Sequence, residues 1–70
     1  MRAQLTMTSS LTGYQYRAEA ERKTKAQVRE WASSMKQYLE TMHKPGEPKQ
    51  FELCLLYPNG SVRSGSTIYL

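Results

Sequence analysis

The sequence has a single cysteine, Cys54, and a single histidine, His43. One cysteine cannot form an internal disulfide, which excludes a disulfide-stapled secreted miniprotein. One cysteine and one histidine cannot make a four-ligand zinc site without carboxylates or a second chain, and neither belongs to a catalytic motif. The four glycines are isolated turn residues, so no phosphate-binding loop is present. These absences predict a non-enzymatic protein that uses no cofactor and no metal.

Long apolar segments are also missing. No stretch approaches the roughly 20 apolar residues of a membrane span, and residues 1–10 lack the apolar core of a signal peptide. We therefore expect no membrane association and a reducing, aqueous compartment such as the cytoplasm. Seventy residues predict a single domain over residues 1–70. A core of that size rarely supplies more than roughly 3–5 kcal/mol, so a partner or a second copy can add stability.

The strongest periodic pattern lies in residues 24–44, where apolar residues recur at spacings of three and four. This pattern predicts a helix that begins at a capping box formed by Thr24 and Gln27 and ends before Pro45-Gly46. The predicted apolar stripe consists of Val28, Trp31, Ala32, Met35, Tyr38, Leu39 and Met42. Its packing partners are expected on the strand that follows, with Trp31, Met35 and Leu39 against Phe51, Leu53 and Leu55.

Two segments before the helix alternate between apolar and polar residues. Residues 2–8 place Ala3, Leu5 and Met7 on one face, which is typical of a half-buried strand. Residues 14–23 alternate in the same way, although many of them are good helix formers. The alternation favours a second strand. One long helix from about residue 14 is the alternative.

The segments after the helix predict a second hairpin. Residues 50–57 alternate most clearly, and Pro58-Asn59-Gly60 is typical of a tight primed turn. Residues 61–70 are expected to return as a strand, with Val62, Ile68 and Leu70 on one face and an interruption at residues 64–66.

This order of elements predicts an α+β fold with the succession hairpin, helix, hairpin. The simplest packing is one helix lying across a largely antiparallel four-stranded sheet. In the order of its elements the chain resembles the β-grasp arrangement of ubiquitin-like domains and small immunoglobulin-binding domains. No signature residue accompanies that resemblance, and a fold of this kind does not imply a function.

A basic cluster at the start of the helix is the first candidate site. The chain has ten Lys and Arg against six Asp and Glu, a net charge of +4. Positive charge at a helix N-terminus opposes the helix dipole, but with the free amides there it can hold a phosphate or an acidic side chain. The alternative is a solvated face tempered by nearby glutamates. The candidate anion-binding or nucleic-acid-binding residues are Arg22, Lys23, Lys25 and Arg29.

The outward face of the sheet is the second candidate site. It combines arginines and hydroxyls with a few apolar groups, which suits protein recognition, and it lacks the paired aromatics on which RNA bases stack. The candidate protein-binding residues are Arg17, Leu56, Arg63 and Tyr69. Sheet edges also invite strand addition, and residues 61–70 contain no lysine or proline, so homodimerisation through an edge is a further expectation.

Together these features predict a small binding module that acts as an adaptor, inhibitor or regulator through protein–protein interaction. The alternative is a nucleic-acid-binding accessory protein that uses the basic cluster. Salt separates the two, because phosphate contacts weaken steeply with ionic strength and an apolar interface does not.

Overall fold

The computed structural model describes all 70 residues. One helix packs on a four-stranded sheet of order β2-β1-β3-β4, in which every neighbouring pair is antiparallel. The predicted α+β fold and its element order are confirmed. The likeness to β-grasp domains concerns this order of elements alone. The elements are β1 Arg2–Ser9, β2 Gln15–Glu21, α1 Lys25–Met42, β3 Lys49–Leu56 and β4 Ile68–Tyr69.

Strand β1 is central and supplies the middle of the core. Its alternation is realised as predicted, with Ala3, Leu5 and Met7 fully buried beneath the helix. Leu5 lies opposite Ala18 of β2 and Leu53 of β3. Residues 15–21 therefore form the predicted strand, and the alternative of one long helix is excluded.

The helix begins as predicted. The Thr24 hydroxyl accepts the Gln27 N–H at 3.2 Å, and the Gln27 side-chain oxygen accepts the Lys23 N–H at 3.0 Å. The helix ends at Met42, two residues earlier than expected, and the N–H of the capping residue His43 donates to the Leu39 carbonyl at 3.0 Å.

The buried stripe of the helix is narrower than the sequence predicted. Val28, Ala32 and Leu39 are buried, whereas Trp31 and Met35 are only partly buried against the core. Tyr38 and Met42, predicted in the stripe, are 58% and 66% exposed. A helix on a sheet contacts it along one line, so residues on its flanks stay open to solvent.

The turn after β3 differs from the predicted tight primed turn. Tyr57 accepts the Gly60 N–H at 2.8 Å and donates its own N–H to Ser61 at 2.8 Å, so three residues form the loop. Asn59 has a negative φ, and only Gly60, at φ 88°, adopts the left-handed region. This matches a three-residue hairpin loop closed by a glycine bulge.

The last strand is much shorter than residues 61–70. Val62 makes one isolated bridge to Leu56, and Arg63 donates its N–H to the Leu55 carbonyl at 2.8 Å. Residues 64–67 then leave the sheet, and the chain returns to pair with β3 at Ile68–Tyr69. Val62 is exposed while Ile68 packs against the core, so the two do not share a face as predicted. No helix of the structure combines the length and apolar character needed to cross a lipid bilayer.

Candidate binding cleft

A cleft of about 270 Å³ lies between the first turns of α1 and the end of the sheet. Its rim carries three cations, Lys25 and Arg29 from the helix and Arg63 from the segment before β4. We call these three residues with their apolar floor the cationic cleft. The floor consists of Val28, Leu53, Leu55 and Ile68.

Each side of the cationic cleft follows from the local sequence. Lys25 and Arg29 are four residues apart and so lie on the same side of the helix. Leu53 and Leu55 alternate onto the helix side of β3, where both are buried. Because β4 has only two residues, an open cleft remains between the first turns of α1 and the segment that precedes β4.

The far wall of the cleft is a turn, Arg63–Ser66, closed by a hydrogen bond of 3.1 Å from the Ser66 N–H to the Arg63 carbonyl. Gly65 takes φ 74° in this turn, a conformation open to glycine at little cost. The Ser66 hydroxyl accepts the Leu55 N–H at 3.1 Å and donates to the Arg63 carbonyl at 2.6 Å. One serine side chain thus replaces the missing strand partner of Leu55 and anchors the turn to β3.

The charges of the cleft are not neutralised within the chain. Its lining contains no acidic residue, and none of its three cations forms an ion pair. The Arg63 guanidinium lies 5.7 Å from the centre of the Tyr57 ring, a cation–π contact that holds it at the rim. The amides of Ser64 and Gly65 make no hydrogen bond within the chain. The cleft therefore presents three unpaired cations above an apolar floor.

The predicted basic cluster is split by the helix. Lys25 and Arg29 line the cationic cleft, but Arg22 lies on the other side of the helix, beside Gln27 and Trp31. Lys23 belongs to neither group. The four cations thus do not form one anion-binding surface.

The predicted protein-binding face is also dispersed. Arg17 and Tyr69 are exposed, but they belong to β2 and β4 at opposite edges of the sheet. Leu56 lies on that face but is 5% exposed, so it is not available for contact. Arg63 lies on the helix side, opposite Leu55, because the loop at residues 58–60 is one residue longer than predicted. A one-residue shift of register exchanges the two faces of a strand.

Cys54 and His43, the single cysteine and the single histidine, both make packing contacts within the fold. Cys54 is buried on the outward side of β3, where burial and the nearby Glu52 carboxylate raise the pKa of its thiol. A raised pKa lowers the fraction of thiolate, the reactive form, at neutral pH, as expected for a cysteine that acts as a small apolar side chain. The His43 ring stacks on Tyr14, with 5.5 Å between ring centres.

Ser9, at the end of β1, contacts the loop after the helix. Its buried hydroxyl donates to the Glu47 carboxylate and accepts the amides of Leu11 and Thr12 at 3.3 and 3.2 Å. The Ser9 hydrogen bond, together with the nearby charges of Lys44, Lys49 and His43, lowers the pKa of Glu47. This contact ties the β1–β2 turn to the loop before β3.

No group of three or more histidine, cysteine or acidic side chains is placed to hold a metal ion. Comparison of the chain with protein-family models, with curated proteins and with solved structures finds no match. Sequence reasoning found Lys25 and Arg29 but missed the turn Arg63–Ser66, whose only sequence signal is the Ser-Gly-Ser interruption.

Proposed function

We propose that the protein is a small non-enzymatic binding module that docks on another protein by taking an acidic segment into the cationic cleft. One observation supports this most directly. Lys25, Arg29 and Arg63 surround an apolar floor with no carboxylate to neutralise them. Carboxylates of a partner would supply the opposite charge that these three cations lack within the chain.

The cleft fits a segment that has both carboxylates and an apolar side chain. Arginine binds carboxylates with two parallel hydrogen bonds, which fixes orientation as well as adding energy. An apolar side chain between two acidic ones would contact the floor mainly at Ile68, its one partly exposed residue. An apolar centre with a polar rim is the usual composition of a protein–protein interface.

Nucleic acid is the less suitable partner. A phosphate backbone is followed by a continuous line of cations, whereas Arg22 and the cleft cations lie on different sides of the helix. The strands present only one exposed aromatic residue, Tyr69, on the outward sheet face, where bases would stack.

The test begins with selection from a random peptide library displayed on phage, with the folded protein as target. We expect enrichment of segments in which Asp or Glu flanks an apolar residue. A short DNA duplex and a single-stranded RNA of unrelated sequence are titrated in parallel at low salt. Failure to enrich acidic segments, or tight binding of either nucleic acid, contradicts the proposal.

Two double variants of equal net charge locate the site. Arg29→Glu with Arg63→Glu reverses two cleft cations, and Arg22→Glu with Lys23→Glu reverses two cations outside the cleft. We expect the first pair to raise the peptide Kd about tenfold or more and the second to change it little. Hydrogen bonds to charged groups contribute roughly 1.5–3 kcal/mol each, and about 1.4 kcal/mol is tenfold in Kd. Equal losses in both variants would indicate non-specific attraction.

A further inference from the structure

Strand β2 has β1 on one side and no neighbour on the other. Ser9 donates its N–H to Tyr14 at 2.8 Å, and Arg22 donates its N–H to Met1 at 2.9 Å. Hydrogen-bonded pairs alternate along an antiparallel ladder, so the even-numbered residues of β2 bond to β1. The odd-numbered residues direct their N–H and C=O groups outward. These residues are Gln15, Arg17, Glu19 and Glu21.

The edge of β2 is complementary to itself. In an antiparallel pairing with a second copy about Ala18, Arg17 lies opposite Glu19 of that copy, and Glu19 lies opposite its Arg17. Odd residues then face odd residues, so every outward N–H and C=O finds a partner. Ala18 meets its own copy in a non-hydrogen-bonded pair, where Cα atoms approach to about 4.5 Å and a methyl group fits well.

The neighbouring symmetric registers are worse. A pairing centred on residue 17 sets Arg17 against its own copy, and one centred on residue 19 does the same with Glu19. Like charges directly opposite each other destabilise a sheet. Both registers also leave fewer residues of β2 paired than the register about Ala18 does. A register centred between two residues would place the outward N–H and C=O groups of odd-numbered residues opposite even-numbered residues, whose N–H and C=O groups are already bonded to β1.

The charges at this edge leave room for the pairing. Arg17 makes no ion pair in the chain, and its guanidinium donates one hydrogen bond, to the Gln15 side-chain oxygen at 3.3 Å. Glu19 already binds Arg2 at 2.8 Å, and a second arginine would approach the free side of its carboxylate. Each copy's Arg17 would then lie beside the other copy's Glu19, so positive and negative side chains alternate across the interface.

The helix flank above β2 adds apolar surface to the same interface. Lys36 fixes the opposite flank over β3, with its ammonium 5.8 Å from the Phe51 ring centre. Trp31, Tyr38 and Met42, seven and four residues apart, therefore lie toward β2. In the paired sheet the two β1 strands would be three strand spacings, or about 14 Å, apart, and the two helix flanks would face each other across that groove.

We propose that two copies of the chain associate through their β2 edges, with Ala18 on the two-fold axis, to form one continuous antiparallel sheet. Both helices lie on the same face of that sheet. The exposed Tyr16 of each copy covers Ala20 of the other, because these residues are opposite in this register. The cationic clefts lie at the far ends and stay open.

Charge complementation tests the register. Arg17→Glu alone and Glu19→Arg alone each set like charges opposite each other at both ends of the two-fold pair. An equimolar mixture of the two variants restores opposite charges at both positions. Mass is measured by light scattering during size-exclusion chromatography. We expect a wild-type dimer, a rise of about tenfold or more in Kd for each variant alone, and a dimer in the mixture.

Arg29→Glu is the matched control, since it changes the net charge as Arg17→Glu does but lies away from the edge. It should leave the dimer intact. Amide hydrogen exchange gives a second readout, because the N–H groups of Arg17 and Glu19 should be protected more strongly as concentration rises. A wild type that stays monomeric at millimolar concentration overturns the proposal. So does a mixture that fails to dimerise, or protection that does not depend on concentration.

Discussion

Truncation of Leu5 should destabilise the fold more than truncation of the single tryptophan. Leu5 is 1% exposed and lies on the central strand β1, between Ala18 and Leu53 and beneath the helix. A Leu→Ala change at such a site costs about 3–5 kcal/mol, because the packed neighbours cannot close the cavity. A domain of this size has a free energy of unfolding of about the same magnitude. Leu5→Ala should therefore be largely unfolded at 25 °C.

Trp31 provides the comparison, since the helix pattern alone predicts it as the centre of the core. It is only partly buried on the β2 flank of the helix. Full burial would make Trp31→Ala cost about 3–5 kcal/mol, and partial exposure should reduce that to about half. Leu11→Ala is the matched control for Leu5→Ala, because Leu11 is exposed and its truncation should stay within about 0.5 kcal/mol.

Urea unfolding monitored by circular dichroism measures all three variants at one protein concentration. With a slope near 1 kcal/mol per molar urea, a loss of about 3 kcal/mol moves the midpoint by about 3 M. The order of destabilisation should be Leu5→Ala, then Trp31→Ala, then Leu11→Ala. A midpoint for Leu5→Ala as high as that of Leu11→Ala would show that the helix does not cover β1.

Three further results are expected. Thr24→Ala should cost about 1 kcal/mol, because it removes the hydroxyl that caps the Gln27 N–H, and urea midpoints measure it. Cys54 should react with a thiol reagent only at the rate of unfolding, since its thiol is buried and its pKa raised; fast reaction of the folded protein would refute this. The Ser9 hydrogen bond lowers the pKa of Glu47. The stability that ionised Glu47 adds to the folded state is therefore fully present above about pH 4.5, and it is lost as the pH falls through the folded-state pKa. Glu47→Gln should therefore make thermal stability less dependent on pH in that acidic range, whereas an unchanged dependence would contradict the contact.

The first three strands and the helix could be predicted because short-range patterns determine them. Ala3, Leu5 and Met7 occupy alternate positions and so share one face of β1, and that face is buried under the helix. Residues 15–21 follow their alternation against their helix propensity, because β1 offers a hydrogen-bonding edge that an isolated segment lacks.

The region after β3 could not be predicted because its register depends on one loop residue. The sequence Pro58-Asn59-Gly60 is compatible with a two-residue and a three-residue loop, and only the second places Arg63 on the helix side. The Ser66 hydroxyl then accepts the Leu55 N–H in place of a backbone carbonyl. A side-chain hydrogen bond of this kind leaves no periodic pattern in the sequence from which it could be predicted. The sequence therefore did not predict that Arg63 lies beside Lys25 and Arg29, because the loop length that decides its face was ambiguous.

Backbone amide NMR of the ¹⁵N-labelled protein, titrated with an acidic peptide from the selection, shows whether the cationic cleft is the binding site. We expect shifts concentrated in the first turn of α1 from Lys25 to Arg29 and in the turn Arg63–Ser66, and we expect them to be lost in the Arg29→Glu, Arg63→Glu variant. Shifts confined to the outward sheet face, or centred on Arg22 and Lys23, would contradict the cationic cleft as the binding site.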